Sequence, residues 1–226
     1  MAQAQEEKCT RQLKLVYETP QPRLNGQFVV SVDLNGFTRP LADSIEQKLS
    51  LGDDFIGHFN DRTALFNIKH TEMGKYTVPS VEFTYNNCNY KTNEISYEVI
   101  DSLPAVENGL WIRCIKDTDS TFWIIIEERL SLPQNYKDSN WSAGEWFEKM
   151  VKYDFFDSPI GYRGIQCPAS GKAPEFLIIN GKKILTCFSE SYCSFEITDR
   201  NASIRLTKDI FKNLPPDYVF KDIIIQ

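Results

Sequence analysis

A surplus of basic residues is missing from this chain: 25 Lys and Arg stand against 31 Asp and Glu, a net charge of −6. A nucleic-acid binder needs cations facing phosphates, so that class of partner is excluded. Lys182-Lys183 is an isolated pair beside a turn signal. Long apolar runs are missing too. The longest candidate, Phe122 to Ile126, fits a buried strand and falls far short of the roughly 18 residues of a membrane-spanning helix.

The machinery of catalysis is equally thin. There are two histidines, His58 and His70, in weakly patterned or turn regions. No G-x-S-x-G elbow or cysteine-protease signature surrounds any nucleophile. Cys167, in a Gly/Pro-rich loop, is the one plausible nucleophile, with His58 or His70 as its base. A small cysteine-dependent hydrolase is therefore one alternative, and a non-catalytic chain is the expectation. Gly52-Asp53-Asp54 and Asp117-Thr118-Asp119-Ser120 do not fit the calcium-loop pattern and read as solvated turns. No metal or cofactor is expected.

Six cysteines without a C-x-x-C pair disfavour a zinc ribbon or thioredoxin-type site. An even count permits disulfides in an oxidising compartment. Cys187 and Cys193 flank FSESY, where a hairpin would bring their α-carbons together, so they are the expected disulfide pair. Cys9, Cys88, Cys114 and Cys167 are expected as thiols. The first residues, MAQAQEEK, resemble the tail of a cleaved secretory signal, with Met1 supplied for expression; a frayed terminus is the other reading.

What the chain does hold is β signal. From Gly74 to Ile100, apolar or aromatic residues recur at spacing two: Tyr76 and Val78, then Phe83 and Tyr85, then Ile95, Tyr97 and Val99. Asn86-Asn87 between two such runs marks a tight turn. Asn25-Gly26 and Asn35-Gly36 bracket another strand, and loops with short strands are expected from Phe37 to Asp61. About seven short strands before residue 101 suggest an immunoglobulin-like sandwich. Asp101 to Gly109, polar and holding Pro104, is the expected domain boundary.

Beyond it, LWIRCIK and TFWIIIEERLSL read as a hairpin, and Ile124-Ile125-Ile126 as a strand covered on both faces. Ser142 to Tyr153 reads as a helix: Ser142 and Glu145 form a capping box, and Trp146, Phe147, Met150 and Val151 an apolar stripe. Phe176 to Ile179, Asn180-Gly181 and Lys183 to Phe188 form a further hairpin. Ser194 to Ile197 and Ala202 to Leu206 are expected to pair, and Tyr218 to Ile225 to form a last strand. The expected architecture is mainly β: a sandwich over residues 11–101, then a smaller β-rich α+β domain over 109–226 with one docked helix near 142–153.

The first half resembles an immunoglobulin-like domain of the BatD, or oxygen-tolerance, family. The resemblance rests on Gly74-Lys75-Tyr76-Thr77-Val78-Pro79, Val81, the turn, Tyr90-Lys91-Thr92-Asn93 and Val99, with Leu24-Asn25-Gly26-Gln27-Phe28 upstream. Leu110-Trp111-Ile112-Arg113 is similar to the start of that family's next domain, so the likeness covers about residues 13–130. It implies a bacterial cell-envelope protein outside the cytoplasm, periplasmic or secreted, acting by contact with a protein partner and not by catalysis.

Trp141, Trp146, Tyr153 and Tyr162 crowd around the expected helix and its following loop. They are the candidate binding patch, since Trp and Tyr dominate interface hot spots; the alternative is that they pack the helix on its sheet. A carbohydrate-binding sandwich using exposed aromatics, with a glycan as ligand, is the remaining alternative. The leading expectation is an extracytoplasmic interaction or adhesion module offering a sheet edge or an aromatic patch.

Overall fold

The computed structural model describes residues 9–17, 19–26, 28–33, 39–48, 56–59, 63–132, 148–153, 161–166, 172–201 and 203–225. The chain is mainly β. Its contacts divide it into two units, Met1–Leu103 and Pro104–Gln226, with the division inside the Asp101 to Gly109 segment.

The first unit contains β1 (Cys9–Leu13), β2 (Leu15–Tyr17), β3 (Phe28–Asp33), α1 (Arg39–Lys48), β4 (Ile56–Phe59), β5 (Thr63–Ile68), β6 (Gly74–Val78), β7 (Glu82–Tyr85), β8 (Cys88–Thr92) and β9 (Ile95–Val99). They form a four-stranded sheet in the order β2-β3-β5-β4, a three-stranded sheet β1-β8-β7 and the pair β6-β9. All three contribute to one core. Phe28, Val30 and Val32 alternate inward from β3, Tyr97 and Val99 come from β9, and Phe83 and Tyr90 from the β7–β8 hairpin. The Phe28 and Tyr97 rings stack at 4.0 Å. Asn86 and Asn87, at φ 47° and 60°, supply the two left-handed residues that a tight hairpin needs.

α1 is a departure from the expected loops and short strands. Pro40 sits in its first turn, where a missing N–H costs nothing, and Lys48 sits in its last, facing the negative end of the dipole. Leu41 and Ile45, one turn apart, are both completely buried, each stabilising the unit by about 2 kcal/mol.

The chain changes sheets at Lys14. β1 runs parallel to β8, and β2, one residue later, runs antiparallel to β3. Asn93 holds that crossing: its Oδ1 accepts the Leu15 N–H at 2.7 Å and its Nδ2 donates to the Leu15 carbonyl at 3.2 Å. The side-chain amide thus replaces a strand partner for a buried residue. Thr92 beside it is also buried, and its Oγ1 accepts the Val81 N–H at 2.9 Å. Asn93→Ala should cost about 1 kcal/mol, because water at the exposed Asn93 position replaces the partner of both Leu15 backbone groups only in part. Urea unfolding of the full chain checks this; an unchanged midpoint would reject the clamp.

The second unit contains β10 (Gly109–Lys116), β11 (Thr121–Ser131), β12 (Lys152–Tyr153), β13 (Tyr162–Gln166), β14 (Lys172–Ile179), β15 (Lys182–Ile197), β16 (Ile204–Leu206), a 3-10 turn (Lys208–Ile210), β17 (Phe211–Lys212) and β18 (Ile223–Ile225). Its main sheet runs β10-β11-β15-β13, and β14 shares the β13 side of β15. One face carries Phe122, Ile124, Ile126, Cys193 and Phe195, covered by Ile204, Leu206, Phe211 and Ile225 from the short strands. Ile125 on the opposite face is also completely buried, so the central strand is enclosed on both sides.

Two expected elements differ. Glu148 and Lys149 are helical, but Met150 is a bend and Lys152–Tyr153 is a strand paired with β17, so the helix does not reach Tyr153. Its start at Ser142 lies outside the described residues. β16 pairs with β18 and not with the end of β15.

Candidate interaction site

The aromatic patch does not assemble as expected. Tyr162 is 4% exposed, edge-on to Phe122 at 5.3 Å and to Phe195 at 5.5 Å. As a β13 residue it points to the core face, and burial pushes its phenol up to about 12. Tyr153 packs against the same core, its hydroxyl 3.2 Å from Ser191 Oγ, and burial raises it to about 12 as well. Both are structural aromatics. Trp141 and Trp146 lie outside the described residues.

The Cys187–Cys193 disulfide is also corrected. Both residues sit on β15, a single strand of 16 residues with no hairpin between them. Six positions along a strand span about 20 Å, whereas a disulfide needs α-carbons within about 7 Å. Cys187 keeps its thiol, and Cys193 is disulfide-bonded to a residue outside the described ones. Cys9, expected as a thiol, is bonded to Cys88, its register partner across the β1–β8 pair, with α-carbons 4.6 Å apart.

Nothing among the described residues assembles a nucleophile. Cys114 is a thiol whose pKa burial lifts to about 12, leaving almost no thiolate near neutrality. His70 Nε2 lies 2.7 Å from the Tyr97 hydroxyl, and its ring lies 3.9 Å from that of Tyr76. Burial, then the neighbouring Tyr76 charge, raises the Tyr97 phenol, so it stays protonated. Cys167, Asp53 and Asp54 fall outside the described residues, as does the side chain of His58. Asp117 accepts the Trp123 indole N–H at 3.3 Å within its turn.

Charge gathers instead on one face of the second unit's sheet. Arg113 Nε lies 3.1 Å from Glu127 Oε2, and Glu127 is 2% exposed. Burial, then Glu190, drives the adjacent Tyr192 phenol strongly up. Arg129 is buried between the Trp111 ring at 5.7 Å and the Phe188 ring at 5.8 Å. Its Nε donates to Glu175 at 2.5 Å and its Nη1 to the Pro104 carbonyl at 2.6 Å. Gly109 is required here, because a Cβ would collide with the Trp111 indole. These groups satisfy one another and hold the strands in register.

What they hold is the base of the β14–β15 hairpin. Among the described residues β11 pairs with β15 to Ser131↔Thr186, with the Leu132 N–H donating to the Leu185 carbonyl at 3.2 Å, and β14 and β15 continue to Ile179↔Lys182. The turn is tight, with Asn180 at φ 50° and Gly181 at φ 76°. On one face Phe176 stands opposite Leu185, and Ile178 opposite Lys183. Phe176 is 57% exposed and Ile178 74%. The Lys183 ammonium sits 4.2 Å from the Phe176 ring centroid. Chemically this is a contact surface: two large apolar groups and one cation on a single ribbon face. The sequence reading found the hairpin but no site on it. An unbroken Phe-Leu-Ile-Ile run has no alternation to show which face meets water.

No family model, no curated protein and no solved structure matches this chain.

Proposed function

We propose that the chain is a non-catalytic, BatD-like interaction or adhesion module of the bacterial cell envelope, with the β14–β15 hairpin as its contact surface for a protein partner. The observation that carries this reading is the exposure of Phe176 and Ile178 side by side on one face of the β14–β15 ribbon. Scattered exposed apolar residues need no explanation, but two clustered on one ribbon face mark a contact site. The Cys9–Cys88 disulfide, and a second one involving Cys193, favour an oxidising compartment.

A benzophenone amino acid in place of Ile178 should give a discrete photoadduct in the native host. The same group in place of exposed Glu94 should not. Equal labelling at both positions, or none at 178, rejects the contact surface. Alkylation of the denatured protein without reductant should leave Cys9, Cys88 and Cys193 unmodified; full modification would reject the compartment.

A further inference from the structure

We infer that the hairpin's occupant is a protein segment in which carboxylates alternate with apolar side chains, laid along the Phe176–Ile178 face, and not a lipid surface. This rests on the hairpin being the contact surface and adds the chemistry of what contacts it.

The order of residues along the ribbon decides between the two. Its turn is Asn180-Gly181, Lys182 follows opposite Ile179, and Lys183 stands opposite Ile178, so the exposed apolar groups lie on the flank behind Lys182. A hairpin entering a bilayer tip-first would carry Lys182 ahead of Ile178, and Lys183 level with it, into hydrocarbon, where charge is strongly disfavoured. A partner approaching from the side meets Phe176, Ile178 and Lys183 at once and leaves Lys182 on the opposite face.

Charge supplies the second argument. Lys182 and Lys183 are exposed and neither forms an ion pair among the described residues, although the chain as a whole carries −6. The one carboxylate of β14, Glu175, projects from the other face and is held by Arg129. Lys183 lies against the Phe176 ring, which fixes a cation within the apolar patch. On the Phe176–Ile178 face an arriving carboxylate would meet the Lys183 ammonium and displace no ion pair among the described residues, so complementarity favours an acidic segment and disfavours a basic one. Residues 174–179 span about 17 Å, the length of one short extended segment. Alternate side chains of such a segment would face the patch in turn.

The test uses the benzophenone at position 178 in the full chain, with and without Lys183→Glu. The expected adduct is a different protein, crosslinked at an apolar stretch interspersed with Asp or Glu. Its yield should fall about threefold on charge reversal, the effect of losing one exposed ion pair, and should persist in Lys183→Arg. An adduct of phospholipid mass, an adduct with a second copy of this chain, or a protein adduct indifferent to charge reversal overturns the inference while leaving the hairpin as the contact surface. No adduct at 178 sinks both.

Discussion

Replacing Cys9 and Cys88 together by serine is expected to destabilise the first unit by about 2–4 kcal/mol, measured by urea unfolding of the full chain. The bond closes a loop with a sequence separation of 79 residues. Loop-closure entropy for that length amounts to about 4.5 kcal/mol as an upper value. The core does little to hold β1 in place. Four of its five residues are exposed, and only Leu13 reaches the interior. Its strand partner is β8, along one edge. The double variant should therefore release β1 first, and trypsin should cut at Arg11 in native buffer, where the oxidised protein resists. Cys114→Ala serves as the control, since Cys114 is not in a disulfide. An unchanged midpoint and unchanged proteolysis in the double variant would mean that β1 docks without its covalent tie.

That bond was not legible in the sequence, and the reason is physical. Cys9 and Cys88 become neighbours only through a parallel pairing of strands far apart in the chain. Cys187 and Cys193 looked better because they were close in sequence, and a turn between them was easy to imagine. Instead Phe188 to Tyr192 lies within β15, with Ser191 opposite Ile126 and Glu190 opposite Glu127. A polar central strand is stable there because its neighbours are polar too: Ser191 meets the Tyr153 hydroxyl, and Glu128 accepts the Val151 N–H at 2.8 Å. Local chemistry gave the hairpins away, since Asn86-Asn87 and Asn180-Gly181 carry the positive φ that their turns require. α1 escaped because its buried stripe is only Leu41 and Ile45, and Pro40 resembled a loop residue. Asn93 was visible as part of a motif, but its task of bracketing Leu15 needs the sheet crossing that only the fold shows.

The same limit applies to Glu175 and Arg129, whose pairing should produce the second large effect. Charged residues usually belong to the surface, yet the Arg129 side chain is only 6% exposed. Glu175 reaches it across β15, so the ion pair fastens the base of the hairpin to the middle of the sheet. Glu175→Ala leaves that guanidinium buried with one carbonyl and two aromatic faces. Removing one partner of a buried pair costs about 3–5 kcal/mol. Here about 2–3 kcal/mol is expected, because Glu175 is 32% exposed and water can replace part of it. Glu175→Gln, which keeps an acceptor oxygen, should cost roughly half as much. Adding Arg129→Met to Glu175→Ala should recover stability, since a thioether chain fills the space between Trp111 and Phe188 without a charge to satisfy. A double variant less stable than Glu175→Ala alone would show that Arg129 contributes mainly through its rings and the Pro104 carbonyl. If the pair does fasten the hairpin, Glu175→Ala should also lower the photoadduct yield at position 178, although residue 175 projects from the opposite face.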